Sequence, residues 1–229
     1  MVCQRKGYDI LFESGNEKSQ MQFSVPGSPI RSGYHLRSSD NFILGTELVS
    51  LDDKEKWVWL AITYDYLEGK QPEFKPAKIV FNYIGPPSKY CGGTAVNPFG
   101  KSNLTTDMKP LREVFTEASI PWKPAVDGVM LGFGGHLHDG GLGLRVYKNR
   151  VNICNSTTHY TKTPTENLHG GFDEMHFQME HIVKQDFCTL KQGILLLRTD
   201  ELHFEVDYDL TKYPGYVTSI LDYGTLIDI

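Results

Sequence analysis

Apolar residues along this chain gather in short runs rich in β-branched and aromatic residues and bounded by turn residues, which read as strands and not as helices. Phe42 to Val49, Trp57 to Tyr66 and Lys78 to Ile84 read as three strands, the first two linked by the short charged segment Asp52-Asp53-Lys54-Glu55-Lys56. Gly85-Pro86-Pro87 closes the third, because proline brings no N–H to a ladder. Strands resume at Gly128 to Gly135 and Leu142 to Tyr147, and Lys148-Asn149-Arg150 makes a tight turn into Val151-Asn152-Ile153-Cys154. Ile194 to Arg198 and Leu202 to Tyr208, joined by Thr199-Asp200-Glu201, form the last pair. From residue 85 to about 126 the pattern is irregular, with one predicted helix over Pro110 to Ala118 that opens on proline in its first turn. Residues 1–40 are rich in Ser, Gly and charge, turn at Pro26-Gly27-Ser28-Pro29, and read as an extended arm. The expected fold class is all-β: a single antiparallel β-sandwich over residues 41–229, jelly-roll-like, with long loops and at most one short helix.

Composition narrows the function classes. With 229 residues, 40% of them hydrophobic, the chain can bury a sizeable core unaided, so a metal site would need a functional or local reason. The net charge of -5 comes without a Lys/Arg cluster, which argues against nucleic acid as a partner. No apolar run approaches the roughly 18 residues of a membrane span, and Met1 to Tyr8 lacks the apolar stretch of a signal peptide. Compartment must therefore be read from cysteines and sequons. Cys3, Cys91, Cys154 and Cys188 are an even set without a C-x-x-C pair, which leaves disulfides or buried thiols. Asn103-Leu104-Thr105 and Asn155-Ser156-Thr157 are glycosylation acceptors if the chain is secreted. A cytosolic protein with four inert thiols is the plainer alternative.

The segment that stands out chemically is Gly134-Gly135-His136-Leu137-His138-Asp139-Gly140-Gly141, at the end of an apolar strand. Residues i and i+2 of a strand project from one face about 7 Å apart, so His136 and His138 can reach one metal while Leu137 turns to the other face. Two imidazoles suit copper, zinc, iron or nickel. The glycine pairs on both sides suggest side chains removed where a ligand approaches. A bare H-x-H is otherwise common, and the plainer expectation is two solvated histidines on a polar face. Further ligands are sought between His169 and His181, where Met175, His176, Met179 and His181 are all chemically admissible; thioether sulfur favours Cu(I) and histidine either copper state. Met175, Phe177 and Met179 alternate, however, and could equally fill a core. No G-x-S-x-G, Walker or dinucleotide-binding context is present. Trp57 and Trp59 share a strand face and are either a sugar-stacking strip or, as such pairs more often are, core.

The glycine-flanked His-Leu-His segment, followed by a strand to Tyr147 and by Asn149-Arg150-Val151-Asn152-Ile153-Cys154, resembles the copper-site hairpin of the second domain of peptidylglycine hydroxylating monooxygenase. It resembles more closely a group of secreted fungal proteins distantly similar to stress-upregulated nodulin proteins of plants. Leu44 to Val49, Trp57 to Gly69 and Leu202 to Asp209 share that resemblance, which spans roughly residues 30 to 210. It implies a copper held by His136, His138 and a methionine near the domain's end. By order along the chain that methionine would follow Tyr208, and Tyr216 to Gly224 contains none. No adjacent His-His pair is present for the monooxygenase's second copper. The resemblance also implies a Cys154–Cys188 disulfide, leaving Cys3 and Cys91 as a second bridge or free.

Two expectations from different classes follow. One is a secreted, glycosylated β-sandwich holding copper through His136 and His138, either as a single-copper redox enzyme of monooxygenase type or as a binding module. The other is a metal-free surface protein contacting glycan through Trp57, Trp59 and tyrosines. The partner in either case is a small molecule, a peptide or a glycan.

Overall fold

A computed structural model describes residues 9–15, 17, 20–46, 55–83, 114–119, 121–162, 180–212 and 224–228. The regular structure of the described chain is nearly all strand: β1 Ser32–Gly33, β2 Lys75–Pro76, β3 Ile79–Tyr83, β4 Val114–Ala118, β5 Gly128–His136, β6 Gly141–Lys148, β7 Val151–Lys162, β8 Glu180–Gln185, β9 Cys188–Leu196, β10 Leu202–Asp209 and β11 Gly224–Asp228. A single 3-10 turn, Leu210–Lys212, follows β10. The larger sheet has five antiparallel strands in the order β4-β10-β6-β7-β8, and the smaller has four in the order β3-β11-β5-β9. β1 and β2 form a minimal parallel pair beside them.

The two sheets face each other across one core. Alternation builds it: along β10, Leu202, Phe204, Val206 and Tyr208 are buried while His203, Glu205 and Asp207 face away. They meet Met130 and Phe133 of β5 and Leu196 of β9 from the smaller sheet, with the Phe133 and Phe204 rings stacked 5.4 Å apart. A register shift between Met130 and Gly132 lets Met130 and Phe133 both enter this core. Leu131 instead packs on Val25 and Ala77 in a second, small cluster. β6 turns into β7 at Asn149 and Arg150, both at positive φ (49° and 68°), as a two-residue hairpin requires. A disulfide joins Cys154 of β7 to Cys188 of β9, Cα atoms 6.0 Å apart, and so ties the sheets together.

Three expectations fail here. Val114 to Ala118, read as part of a helix, is a strand that pairs antiparallel with β10 from Glu205 to Asp209. Its exposure alternates residue by residue, and Val114 and Thr116 are β-branched; the charged-apolar alternation was itself a strand signal. Residues 110–113 lie outside the described residues. The strands expected at 42–49 and 57–66 are absent over 42–46 and 57–66, where the backbone is irregular; 47–49 lie outside the described residues. Trp57 and Trp59 are 90% and 84% exposed, so they are not core. Those runs pair with no strand among the described residues, and β-rich composition without a partner strand does not make a strand. The pairing of the last two strands also differs: β9 lies beside β5 and β10 between β4 and β6, in different sheets. The segment read as an arm contributes Val25, Phe23 and Ile30 to the second cluster, and Ile10 and Met21 to a third around Ile79. No helix among the described residues is long and apolar enough to cross a membrane.

Candidate functional site

β5 carries its side chains to two destinations. Phe133 and Leu137 enter the core, and a Cβ on Gly135 would point at Leu144, 3.2 Å away. Gly132, Gly134 and His136 take the opposite face, turned away from the core. The Phe187 ring lies across the two glycines, since a Cβ would come within 2.4 Å of it at Gly132 and 2.7 Å at Gly134. The chain then passes from the smaller sheet to the larger through Leu137-His138-Asp139-Gly140. Gly140 sits at a φ of 98°, where side chains are strained, and its N–H donates to the Tyr160 hydroxyl at 2.9 Å. The flanking glycines make room for packing and for the turn.

Leu137 is buried in the core, and the His136 and His138 rings lie together, centroids 5.1 Å apart and near-perpendicular at 70°. Both histidines are half-buried. The His138 backbone N–H donates to the Tyr208 hydroxyl at 3.3 Å, which fixes the segment to the core. His136 Nδ1 lies 2.8 Å from Oε2 of Glu17, and the other oxygen of Glu17 accepts the Gly15 N–H at 2.8 Å. Burial acts to raise the Glu17 pKa, yet the hydrogen bond and charge of His136, with the backbone N–H groups of Gly15 and Glu17, outweigh it and hold the carboxyl below its usual range. Gly15 is required at this contact, because a Cβ there would lie 2.3 Å from His136 Cε1.

Asp139, also buried, makes a second carboxylate–histidine pair. One oxygen lies 2.7 Å from Nδ1 of His181 and the other accepts the Ile182 N–H at 2.9 Å, so Asp139 pins β8 to the His-Leu-His segment. Of the residues singled out in the sequence, the structure brings His136 and His138 together and links His181 to their neighbour. Met175, His176, Met179 and Asn103 lie outside the described residues. Asn155 is exposed on β7, bonded through Oδ1 to Asn152 Nδ2 at 2.9 Å. Among the described residues, no three His, Cys, Asp or Glu side chains are grouped to hold a metal ion.

The spacing of the two histidine rings is compatible with two ligands of one copper ion. Two cis imidazoles bound at metal–nitrogen distances of about 2 Å place their centroids roughly 5 Å apart, close to the 5.1 Å found. A carboxylate on the distal ring nitrogen, as Glu17 is on His136, is the usual companion of a metal-binding histidine.

The chain is distantly similar to fungal proteins named as copper-dependent oxygenases. It is 25% identical over 217 residues to probable copper-dependent oxygenase clz3 of Cochliobolus lunatus, covering 93% of this chain and 60% of that protein. It is 22% identical over 213 residues to probable copper-dependent oxygenase M1 of a Phoma species, covering 93% of this chain and 48% of that protein. The chain thus spans about half to three fifths of the length of these relatives. No family model and no solved structure matches it.

Reading the sequence alone missed Glu17, Gly15 and Phe187. Glu17 meets His136 across 119 residues, and nothing local marks it. Asp139 directly follows His138, and that position was the available signal.

Proposed function

We propose that this chain is the copper-binding β-sandwich of a secreted, glycosylated oxidoreductase related to the copper type II monooxygenases, with His136 and His138 as the histidine ligands of one copper. The observation that carries the proposal is the pairing of the two imidazoles on one side of a segment whose Leu137 is locked in the core. The similarity to probable copper-dependent oxygenases supports the choice of metal. The Cys154–Cys188 disulfide is compatible with an oxidising compartment, and exposed Asn155 with glycan attachment. Met175, His176 and His181 remain the candidates for completing the ligand set.

Copper held there would supply one-electron redox chemistry and a position for dioxygen. The chain's own residues do the rest: Leu137 and the Tyr208 hydroxyl anchor the segment, Glu17 and Asp139 engage ring nitrogens, and Phe187 covers the strand next to His136.

Thermal melts with and without Cu(II) test the proposal. At a copper concentration about 100 times the dissociation constant, the wild type should gain roughly 2.7 kcal/mol of unfolding stability, and H136A and H138A should lose most of that gain. Equal shifts in wild type and variants would overturn it. Oxygen consumption with ascorbate above that of free Cu(II) then separates an enzyme from a binding module. The exposure of Trp57 and Trp59 favours a second reading, glycan contact by a metal-free surface protein. Retention on immobilised polysaccharide, lost in W57A/W59A and unaffected by chelator, would support it.

A further inference from the structure

Glu17 reaches His136 from 119 residues away in the sequence, and the residue is only 5% exposed. Its two oxygens have different tasks. Oε1 accepts the Gly15 N–H at 2.8 Å, while Oε2 faces His136 Nδ1 at the same distance. A carboxylate has no proton to give, so in this pair Nδ1 must be the donor. A neutral imidazole with its proton on Nδ1 has its lone pair on Nε2.

We propose that Glu17 is a positioning residue for His136, holding the ring in the Nδ1–H tautomer and so keeping the lone pair on Nε2, the metal-binding atom. This rests on the copper reading given above and extends it to the N-terminal segment, which becomes part of the site. Gly15 belongs to the same device: it lets the backbone that carries the carboxylate approach the ring, where any larger residue would strike Cε1 and Nδ1.

The two-oxygen arrangement gives a variant of the same shape with the opposite consequence. Glu17→Gln keeps one oxygen and replaces the other by an NH2 group. The oxygen stays with the Gly15 N–H, because two donors cannot face each other. The NH2 then points at His136 Nδ1, which must accept, and the ring proton moves to Nε2, the atom that should bind the metal. A packing role alone would leave both the tautomer and the metal affinity unmoved.

The experiment has two readouts on the full chain. Nitrogen-15 NMR of the metal-free protein, at a pH where the histidines are neutral, should find His136 protonated on Nδ1 in wild type and on Nε2 in E17Q. Chelator competition with Cu(II) should find affinity lowered about 10- to 100-fold in E17Q and in Glu17→Ala. Wild-type His136 protonated on Nε2 would overturn the proposal without recourse to any variant. So would E17Q binding Cu(II) as tightly as wild type while H136A does not. If H136A itself binds like wild type, the copper reading fails and takes this proposal with it, so the two failures are distinguishable.

Discussion

The structure contains two buried carboxylates that each hold the Nδ1 of a histidine beside the same short segment, and they are built differently. Asp139 spends its second oxygen on the N–H of Ile182, a buried residue of β8, so it is sewn into the larger sheet. Glu17 spends its second oxygen on Gly15, two residues away in its own segment. Asp139 joins parts of the molecule that strands already hold in place, whereas Glu17 joins an irregular segment to the end of β5. Equal distances, 2.7 Å and 2.8 Å, therefore do not mean equal consequences. Losing the first should cost fold stability, and losing the second should cost the order of one ring.

The largest test removes the frame around the Asp139 pair. Replacing Cys154 and Cys188 together by alanine should lower unfolding stability by about 3 to 4 kcal/mol in the chain-entropy model, given the 34-residue separation they close. Urea unfolding of the double variant measures it. A negligible loss would mean that β7 and β9 are held by packing alone.

Next comes Asp139→Ala. It leaves the Ile182 N–H buried without its carboxylate acceptor and should cost about 2 to 3 kcal/mol. Glu17→Ala should cost clearly less in the same metal-free assay, because its segment can lift locally without opening either sheet. Equal costs would break the comparison and show the N-terminal segment to be as firmly held as β8.

The smallest effect comes from a carboxylate that touches neither candidate ligand. Asp207, on the outer face of the larger sheet, accepts from Arg145 and from Thr116 Oγ1 at 2.6 Å. Burial acts to raise its pKa, but these hydrogen bonds and the Arg145 charge prevail and hold it below the ordinary aspartate range. A carboxyl lowered on folding contributes stability that is present above its unfolded pKa and lost as pH falls through the folded one. The stability difference between wild type and Asp207→Asn should thus be constant down to about pH 4 and shrink below it. Melts across that range measure it, and a difference independent of pH would show that the Arg145 pair adds nothing.

Much of the architecture was legible because strand periodicity is local. The alternation Leu202-His203-Phe204-Glu205-Val206-Asp207-Tyr208 places four side chains in the core whatever the partner strand is, and β10 follows it without exception. The opposite faces of Leu137 and the two histidines were legible for the same reason. The equally suggestive Trp57 to Tyr66 was not, because a strand also needs an edge to pair with, and no run of residues states whether one is near.

The sequence by itself determined the all-β class, the faces of the core strands and the His-Leu-His pair, since each depends on side chains within a few positions of one another. Tertiary structure alone decided that the glycines around that pair make room for Phe187, Leu144 and a turn, and that β9 and β10 part into different sheets. It alone placed Glu17 on His136, because a contact across 119 residues is set by how the sheets stack and where the N-terminal segment lies over them.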